Sequence, residues 1–216
     1  MEHLTDLIVD WSAALRPFPG EVELGDGRLV LPIRHGVLVA VSDGLGHGAD
    51  AAAATRIALT TLAEYAAEPA PSLFARCHWS LRRTRGAALS LAVIRADEGA
   101  MTWAGVGNVA GVLLRANPRA TPRVEVLVPR RGLLGDRLPP RSGVFGDRLP
   151  PLPVSEIPIA RGDMLALATD GVRGEFLDEL NSSDPPGNQA ERLLSSHWTG
   201  ADDALILVAR YVGGVD

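Results

Sequence analysis

Three aspartates of this chain share one local context. Asp43 follows the apolar run of residues 37–41, Asp170 follows residues 164–168, and Asp202 precedes residues 204–208. Each is therefore expected at the end of an interior strand, and Asp43 and Asp170 each precede a glycine. A carboxylate in that position is held rigidly yet faces the rim of a sheet, and the neighbouring glycine lets a ligand approach the backbone. Asp26, in Gly25-Asp26-Gly27, is a fourth candidate. Converging carboxylates repel one another, so either a pKa rises sharply or a cation lies between them. No arginine directly flanks Asp43 or Asp170. Oxygen ligands without a Cys or His cluster suit magnesium or manganese rather than zinc. Two such ions roughly 3.5–4 Å apart make a centre for phosphoester hydrolysis with a bridging water as nucleophile. A single Asp-Gly is ordinarily a turn, and Asp97, Asp136, Asp147 and Asp163 are read that way. The repeated context is what points to a site.

Other reactive groups carry weaker signals. The stretch Gly44-Leu45-Gly46-His47-Gly48 ahead of a helix also reads as a phosphate cradle built from helix N–H groups. His47 fits a general acid, a phosphate contact or a loop-packing residue about equally. Cys77 sits within a predicted helix and reads as a structural thiol. Arg82, Arg83 and Arg85 form a basic run at a helix end, suited to the helix dipole or to an acidic or phosphorylated partner.

Composition removes several classes. All 21 basic residues among the 216 are Arg, and the formal net charge is −5. Without Lys there is no Walker-type phosphate loop and no Schiff-base chemistry, which disfavours a nucleotide hydrolase. An acidic balance argues against nucleic-acid binding. One Cys excludes an intrachain disulfide and a multi-Cys zinc site. The N-terminal residues carry Glu2, Asp6 and Asp10 without a basic cluster, and no apolar run approaches the ~20 residues of a membrane helix. A cytoplasmic protein without a membrane partner is expected.

Periodicity and chain breakers outline the strands and helices on which the aspartates sit. Residues 4–15 read as strand or helix, 28–33 and 37–41 as strands, and 49–67 as a helix. Ser72 is a candidate N-cap for a second helix reaching about Arg83. Residues 87–95, 100–106, 109–115 and 123–128 read as a meander. Residues 130–153 form an extended loop in which Gly135-Asp136-Arg137-Leu138-Pro139-Pro140 returns as Gly146-Asp147-Arg148-Leu149-Pro150-Pro151, a local duplication. Strands are expected over 154–159, 164–168 and 204–211, with short helices over 173–180 and 188–196 split by Asp184-Pro185-Pro186-Gly187. The order lacks βαβ alternation, so the expected class is α+β: antiparallel sheets with helices packed outside them, in one domain over residues 1–216.

Taken together, Ser42-Asp43-Gly44-Leu45-Gly46-His47-Gly48, Thr169-Asp170-Gly171 and Asp202-Asp203-Ala204 resemble the metal-dependent serine/threonine protein phosphatases, in particular their bacterial SpoIIE-type branch. Pro19-Gly20-Glu21, Gly25-Asp26, Thr84-Arg85-Gly86-Ala87, Ala104-Gly105-Val106-Gly107-Asn108 and Gly162-Asp163 extend the match over most of the chain. The short single-domain form is similar to members that reset stressosome proteins. The resemblance implies an αββα sandwich, two stacked antiparallel sheets flanked by helices, with two manganese or magnesium ions at one end. It implies Asp26, Asp43, Gly44 through its carbonyl, Asp170 and Asp202 as metal ligands, with Asp203 behind them. Catalysis would depend on Asp43 and Asp170, a bridging hydroxide attacking phosphorus in line. The implied substrates are phosphoserine and phosphothreonine on STAS-domain stressosome proteins or anti-sigma pathway proteins.

The chain departs from the family pattern in places. Leu45 stands where larger relatives carry His directly after Asp-Gly, so the serine's leaving oxygen would be protonated from metal-bound water. Asn108 stands where relatives with a third metal carry Asp. Arg34, Arg85 and Arg173 are the arginines considered as a phosphate anchor. These departures leave a second reading, a catalytically weak phosphatase-fold module that binds a switch protein. Residues 130–153 are expected to contact the protein substrate.

Overall fold

The computed structural model describes residues 8–135 and 151–213. Among these residues ten strands form two five-stranded sheets in which every neighbouring pair is antiparallel. In chain order the strands are β1 (Val9–Arg16), β2 (Asp26–Ile33), β3 (Gly36–Gly44), β4 (Ala87–Arg95), β5 (Ala100–Val106), β6 (Ala110–Leu114), β7 (Val124–Leu127), β8 (Ser155–Pro158), β9 (Met164–Ala168) and β10 (Ala204–Tyr211). One sheet has the order β2-β3-β4-β5-β8 and the other β1-β10-β9-β6-β7. The helices are α1 (Ala49–Glu64), α2 (Ala70–Ser80) and α3 (Pro186–His197), with a 3-10 helix over Gly174–Glu179.

Alternation along the central strands explains the layers. In β3 the odd residues Val37, Val39 and Val41 face β9 and β10, meeting Leu165, Leu167, Leu205 and Leu207 between the sheets. The even residues Leu38 and Ala40 point the other way, onto Ala54, Ala58 and Leu62 of α1 and Leu73 and Phe74 of α2. In β10, Ala204, Ile206 and Val208 turn outward onto Ala190, Leu193 and Leu194 of α3. Strands covered on both faces must be apolar at every position, which is why they read as unbroken apolar runs. The α+β class and the αββα sandwich are both present.

Several boundaries differ from the sequence reading. Of the stretch expected over 4–15 as strand or helix, residues 4–7 lie outside the described residues and Val9–Arg16 is strand. The helix over 49–67 stops at Glu64. Ser72 is not an N-cap: Pro69 is, Pro71 lies in the first turn, and Ser72 N donates to Pro69 O at 2.9 Å. That helix also stops at Ser80, short of Arg83. Pro185-Pro186-Gly187 opens α3 instead of separating helices, because a proline in the first turn gives up no intrahelical bond. The stretch after Arg173 closes as a 3-10 helix. The four-strand meander is the largest correction. β4 and β5 pair, β6 and β7 pair, but β5 and β6 belong to opposite sheets, and the chain crosses between them at Gly107-Asn108. Most of the duplicated Gly-Asp-Arg-Leu-Pro-Pro loop, residues 136–150, lies outside the described residues.

Candidate metal centre

β2 and β3 form a hairpin closed at Arg34-His35, and its open end carries Asp26 and Asp43 directly opposite each other. Opposed residues of antiparallel neighbours project to the same face, so the two carboxylates stand side by side. From the other sheet, β9 runs into Thr169-Asp170, and β10 begins just after Asp202-Asp203. The pairing of Ile206 with Ala168 makes these two chain ends neighbours. The four aspartates singled out in the sequence thus come from the rims of both sheets at one end of the sandwich.

Hydrogen bonds stitch the two rims together. Thr169 Oγ1 donates to Asp26 Oδ2 at 2.7 Å and accepts from Leu205 N at 2.9 Å. Asp203 is buried, and its carboxylate accepts from Phe18 N at 2.8 Å and Gly25 N at 2.9 Å, so it holds the loop entering β2. Asp203 N in turn donates to Asp202 Oδ1 at 2.8 Å. At the crossover, Asn108 Nδ2 donates to Asp170 Oδ2 at 2.6 Å. Sequence reasoning assigns neither Thr169 nor Asn108 a part in holding the aspartates. Their only signal is position: Thr169 immediately precedes Asp170, and Asn108 lies at the sheet crossover.

The Asp-Gly glycines serve the chain's own packing. A Cβ on Gly44 would stand 2.2 Å from Ala51 O, and one on Gly171 would stand 1.9 Å from Asp203 O. Neither residue has positive φ. Gly44 thus admits α1 and Gly171 admits the segment bearing Asp203, a packing reason for both glycines that stands beside the expected access of a ligand to the backbone. Gly44, whose carbonyl the family pattern offers as a ligand, is the last residue of β3.

The electrostatics arise from this crowding. Burial, then the Asp43 charge, pushes the Asp26 carboxyl up to about 8, although the Thr169 bond works against the rise and Asp203 and Asp202 add to it. Burial, then the Asp170 charge, pushes Asp43 up to about 7, against the Asn108 amide. Asp202 is raised as well, chiefly by burial, with Asp170 and Asp203 contributing. The carboxylates therefore act on one another across the two sheets. Among the described residues no arginine forms an ion pair with Asp26, Asp43, Asp170, Asp202 or Asp203.

The surrounding loop narrows other readings. His47 stacks on Phe18 with ring centroids 4.4 Å apart, and its Nδ1 lies 2.9 Å from Glu21 Oε1. Glu21 also lies over the start of α1, where a Cβ on Gly48 would stand 3.1 Å from its Oε2. Arg85 pairs with Asp50 at 2.9 Å. Arg34 lies at the closed end of the hairpin, about 25 Å from Asp26 at ~3.3 Å per residue, which removes it as an anchor. Arg173 Nη2 donates to Ser196 O at 2.6 Å. Cys77 is buried, and burial pushes its thiol up to about 12, so it is inert. Asp163, read as a turn residue, is a buried hub: it accepts from Arg115 Nη1 at 3.1 Å, Ala116 N at 2.8 Å and Ala160 N at 3.1 Å.

Among the described residues no group of three or more His, Cys, Asp and Glu side chains is already gathered around one point as metal ligands. Asp26 and Asp170 instead rest on neutral donors, Thr169 and Asn108. Neutral donors leave the negative charge uncompensated. An all-oxygen set in which Asp26, Asp43 and Asp202 are raised, with no ion-paired arginine among the described residues, fits hard divalent ions.

Comparison with known proteins bears on the fold and the family. The model for stage II sporulation protein E (SpoIIE) matches residues 34–212. Phosphoserine phosphatase RsbX of Bacillus subtilis (strain 168) is 32% identical over 77 residues, 36% of this chain and 39% of that protein, so the match spans about two fifths of the relative. A chain from a structure of the bacterial stressosome is 25% identical with a TM-score of 0.80, covering 94% of this chain and 99% of that one. RsbX in complex with magnesium is 20% identical with a TM-score of 0.78, covering 94% and 96%, and shares the fold. With more than half of its length matched by that model, the chain belongs to the SpoIIE family.

Proposed function

We propose that this protein is a divalent-metal-dependent phosphatase acting on phosphoserine or phosphothreonine of bacterial signalling-switch proteins. The observation that carries the reading is the convergence of Asp26 and Asp43 from one sheet with Asp170 and Asp202 from the other, with no ion-paired arginine among the described residues. Asp26, Asp43, Gly44 through its carbonyl, Asp170 and Asp202 would hold two manganese or magnesium ions. Bound ions of this kind activate a water and neutralise phosphate charge. The chain's own groups do the positioning. Thr169 orients Asp26, Asn108 orients Asp170, and Asp203 fixes the loop that carries Gly25 and Asp26. Similarity to RsbX and to the stressosome chain supports phosphorylated STAS-domain stressosome or anti-sigma pathway proteins as substrates, met in the cytoplasm.

The test is hydrolysis of p-nitrophenyl phosphate and a phosphoserine protein with and without manganese. Asp43→Asn and Asp170→Asn should each lower metal-dependent turnover by about a hundredfold or more, the scale of several kcal/mol of lost charge stabilisation. Wild-type turnover in either variant overturns the assignment. A second reading, a binding module with weak activity, is favoured by Leu45, which is 52% exposed where a general acid would stand. His47 is tied to Glu21 and Phe18 instead. Manganese binding without turnover on any phosphoprotein would select the module.

A further inference from the structure

Beside the carboxylates lies a groove of about 270 Å³ lined by Ala88, Gly107, Asn108, Arg131, Gly132 and Leu133. Two of its residues connect it to the site. Ala88 is the register partner of Asp43 on β4, and Asn108 donates to Asp170. Its outer wall is fixed by backbone bonds on both sides. Gly107 N donates to Arg130 O and Arg130 N to Gly105 O, each at 2.8 Å, while Ala87 and Leu134 exchange bonds at 3.1 and 3.0 Å. Arg131 sits between these clamps. It is exposed, and it forms no hydrogen bond or ion pair with another described residue.

Among the described residues the lining of the groove is otherwise neutral, formed by small or apolar residues, backbone and the Asn108 amide. A guanidinium placed on such a wall is suited to a carboxylate or a second phosphate. The chain as a whole carries a formal charge of −5, so an acidic segment is disfavoured except where an arginine meets it. We propose that this groove receives the polypeptide next to the phosphorylated residue, and that Arg131 selects substrates with an acidic side chain flanking it. This inference rests on the phosphatase reading, since the groove matters through its position against Asp43 and Asp170. Arg131 is here a specificity residue for the flank and not an anchor for the phosphate that is cleaved.

The experiment uses two phosphoserine peptides, one with Glu and one with Ala on both sides of the phosphoserine. Wild type, Arg131→Ala and Arg131→Glu are compared with manganese on both peptides and on p-nitrophenyl phosphate. Wild type should prefer the Glu peptide by roughly three- to fivefold in kcat/KM, the range of an exposed charge pair. Arg131→Ala should abolish the preference and Arg131→Glu should invert it, with p-nitrophenyl phosphate turnover unchanged in both. The same order should appear without turnover, in the fluorescence anisotropy of labelled peptides in EDTA. A preference that survives in Arg131→Ala overturns the inference, and so does its absence from wild type. An equal loss on p-nitrophenyl phosphate also overturns it, by making Arg131 the anchor of the cleaved phosphate. Failure of the phosphatase reading looks different: wild type then hydrolyses none of the three substrates, while the anisotropy still reports on the groove.

Discussion

The two halves of the carboxylate cluster are built differently. The inner half, Asp26 and Asp203, is 5% and 3% exposed, and each carboxylate is bonded to a partner on a distant segment: Thr169, or the backbone of Phe18 and Gly25. The outer half, Asp170 and Asp202, lies nearer solvent and is bonded to Asn108 and to the adjacent Asp203 N. Asp43 bridges them, half-buried on β3 and coupled to both sides. The inner acids therefore belong to the fold as much as to the site, whereas the outer acids belong to the site. Loss of Asp203, which holds two backbone N–H groups, should cost stability, and loss of an outer acid should cost chemistry alone.

The largest effect expected on stability is at Asp203. Asp203→Ala leaves the N–H groups of Phe18 and Gly25 without their acceptor, at about 1–3 kcal/mol for the buried Gly25 group and about 1 kcal/mol for the part-buried Phe18 group. About 2–4 kcal/mol in total corresponds to a Tm lowered by roughly 5–15 °C in a chain of this size. Asp170→Asn should leave Tm within about 2 °C, because an exposed substitution seldom changes stability by more than ~0.5 kcal/mol. Thermal melts of the two variants in EDTA check the contrast, and equal Tm losses would erase the distinction between the halves.

A smaller effect concerns pH. Asp26 and Asp43 have folded-state values of about 8 and about 7, above the ordinary 3.8. A raised carboxyl favours the fold while it is protonated, so its contribution is complete below about pH 4 and is lost as pH rises through the folded value. In EDTA, Tm should decline between about pH 5 and 8. Manganese binding should tighten over the same window, because the ions compete with those protons. A Tm that is level across the window in EDTA would contradict the crowding described for the inner half.

Legibility in the sequence divides along similar lines. β3, β9 and β10 are covered on both faces, so their apolar runs identify them and place Asp43, Asp170 and Asp202 at their ends. The partners of those aspartates are not legible, since they arise from pairing between distant segments. The family resemblance puts Asp203 behind Asp202, but nothing local in Asp202-Asp203 tells that its carboxylate holds Phe18 and Gly25. Likewise, Gly107-Asn108 has the composition of a hairpin turn, yet the chain there changes sheets, and this is what carries Asn108 to Asp170. The glycines after Asp43 and Asp170 are conspicuous in the sequence, but the reason for them is not. Their missing Cβ accommodates Ala51 and Asp203, contacts that exist only once the sheets have stacked.

The proposed chemistry depends on carboxylates from both sheets forming one divalent-metal centre. The decisive check is titration of the intact protein with manganese chloride in a calorimeter, at a pH above 8. Wild type should bind in the millimolar range or tighter, and Asp43→Asn, which removes the carboxylate that couples the two halves, should weaken binding at least tenfold while still folding. An absence of binding at millimolar manganese in wild type, or an unchanged isotherm in Asp43→Asn, would contradict a shared centre.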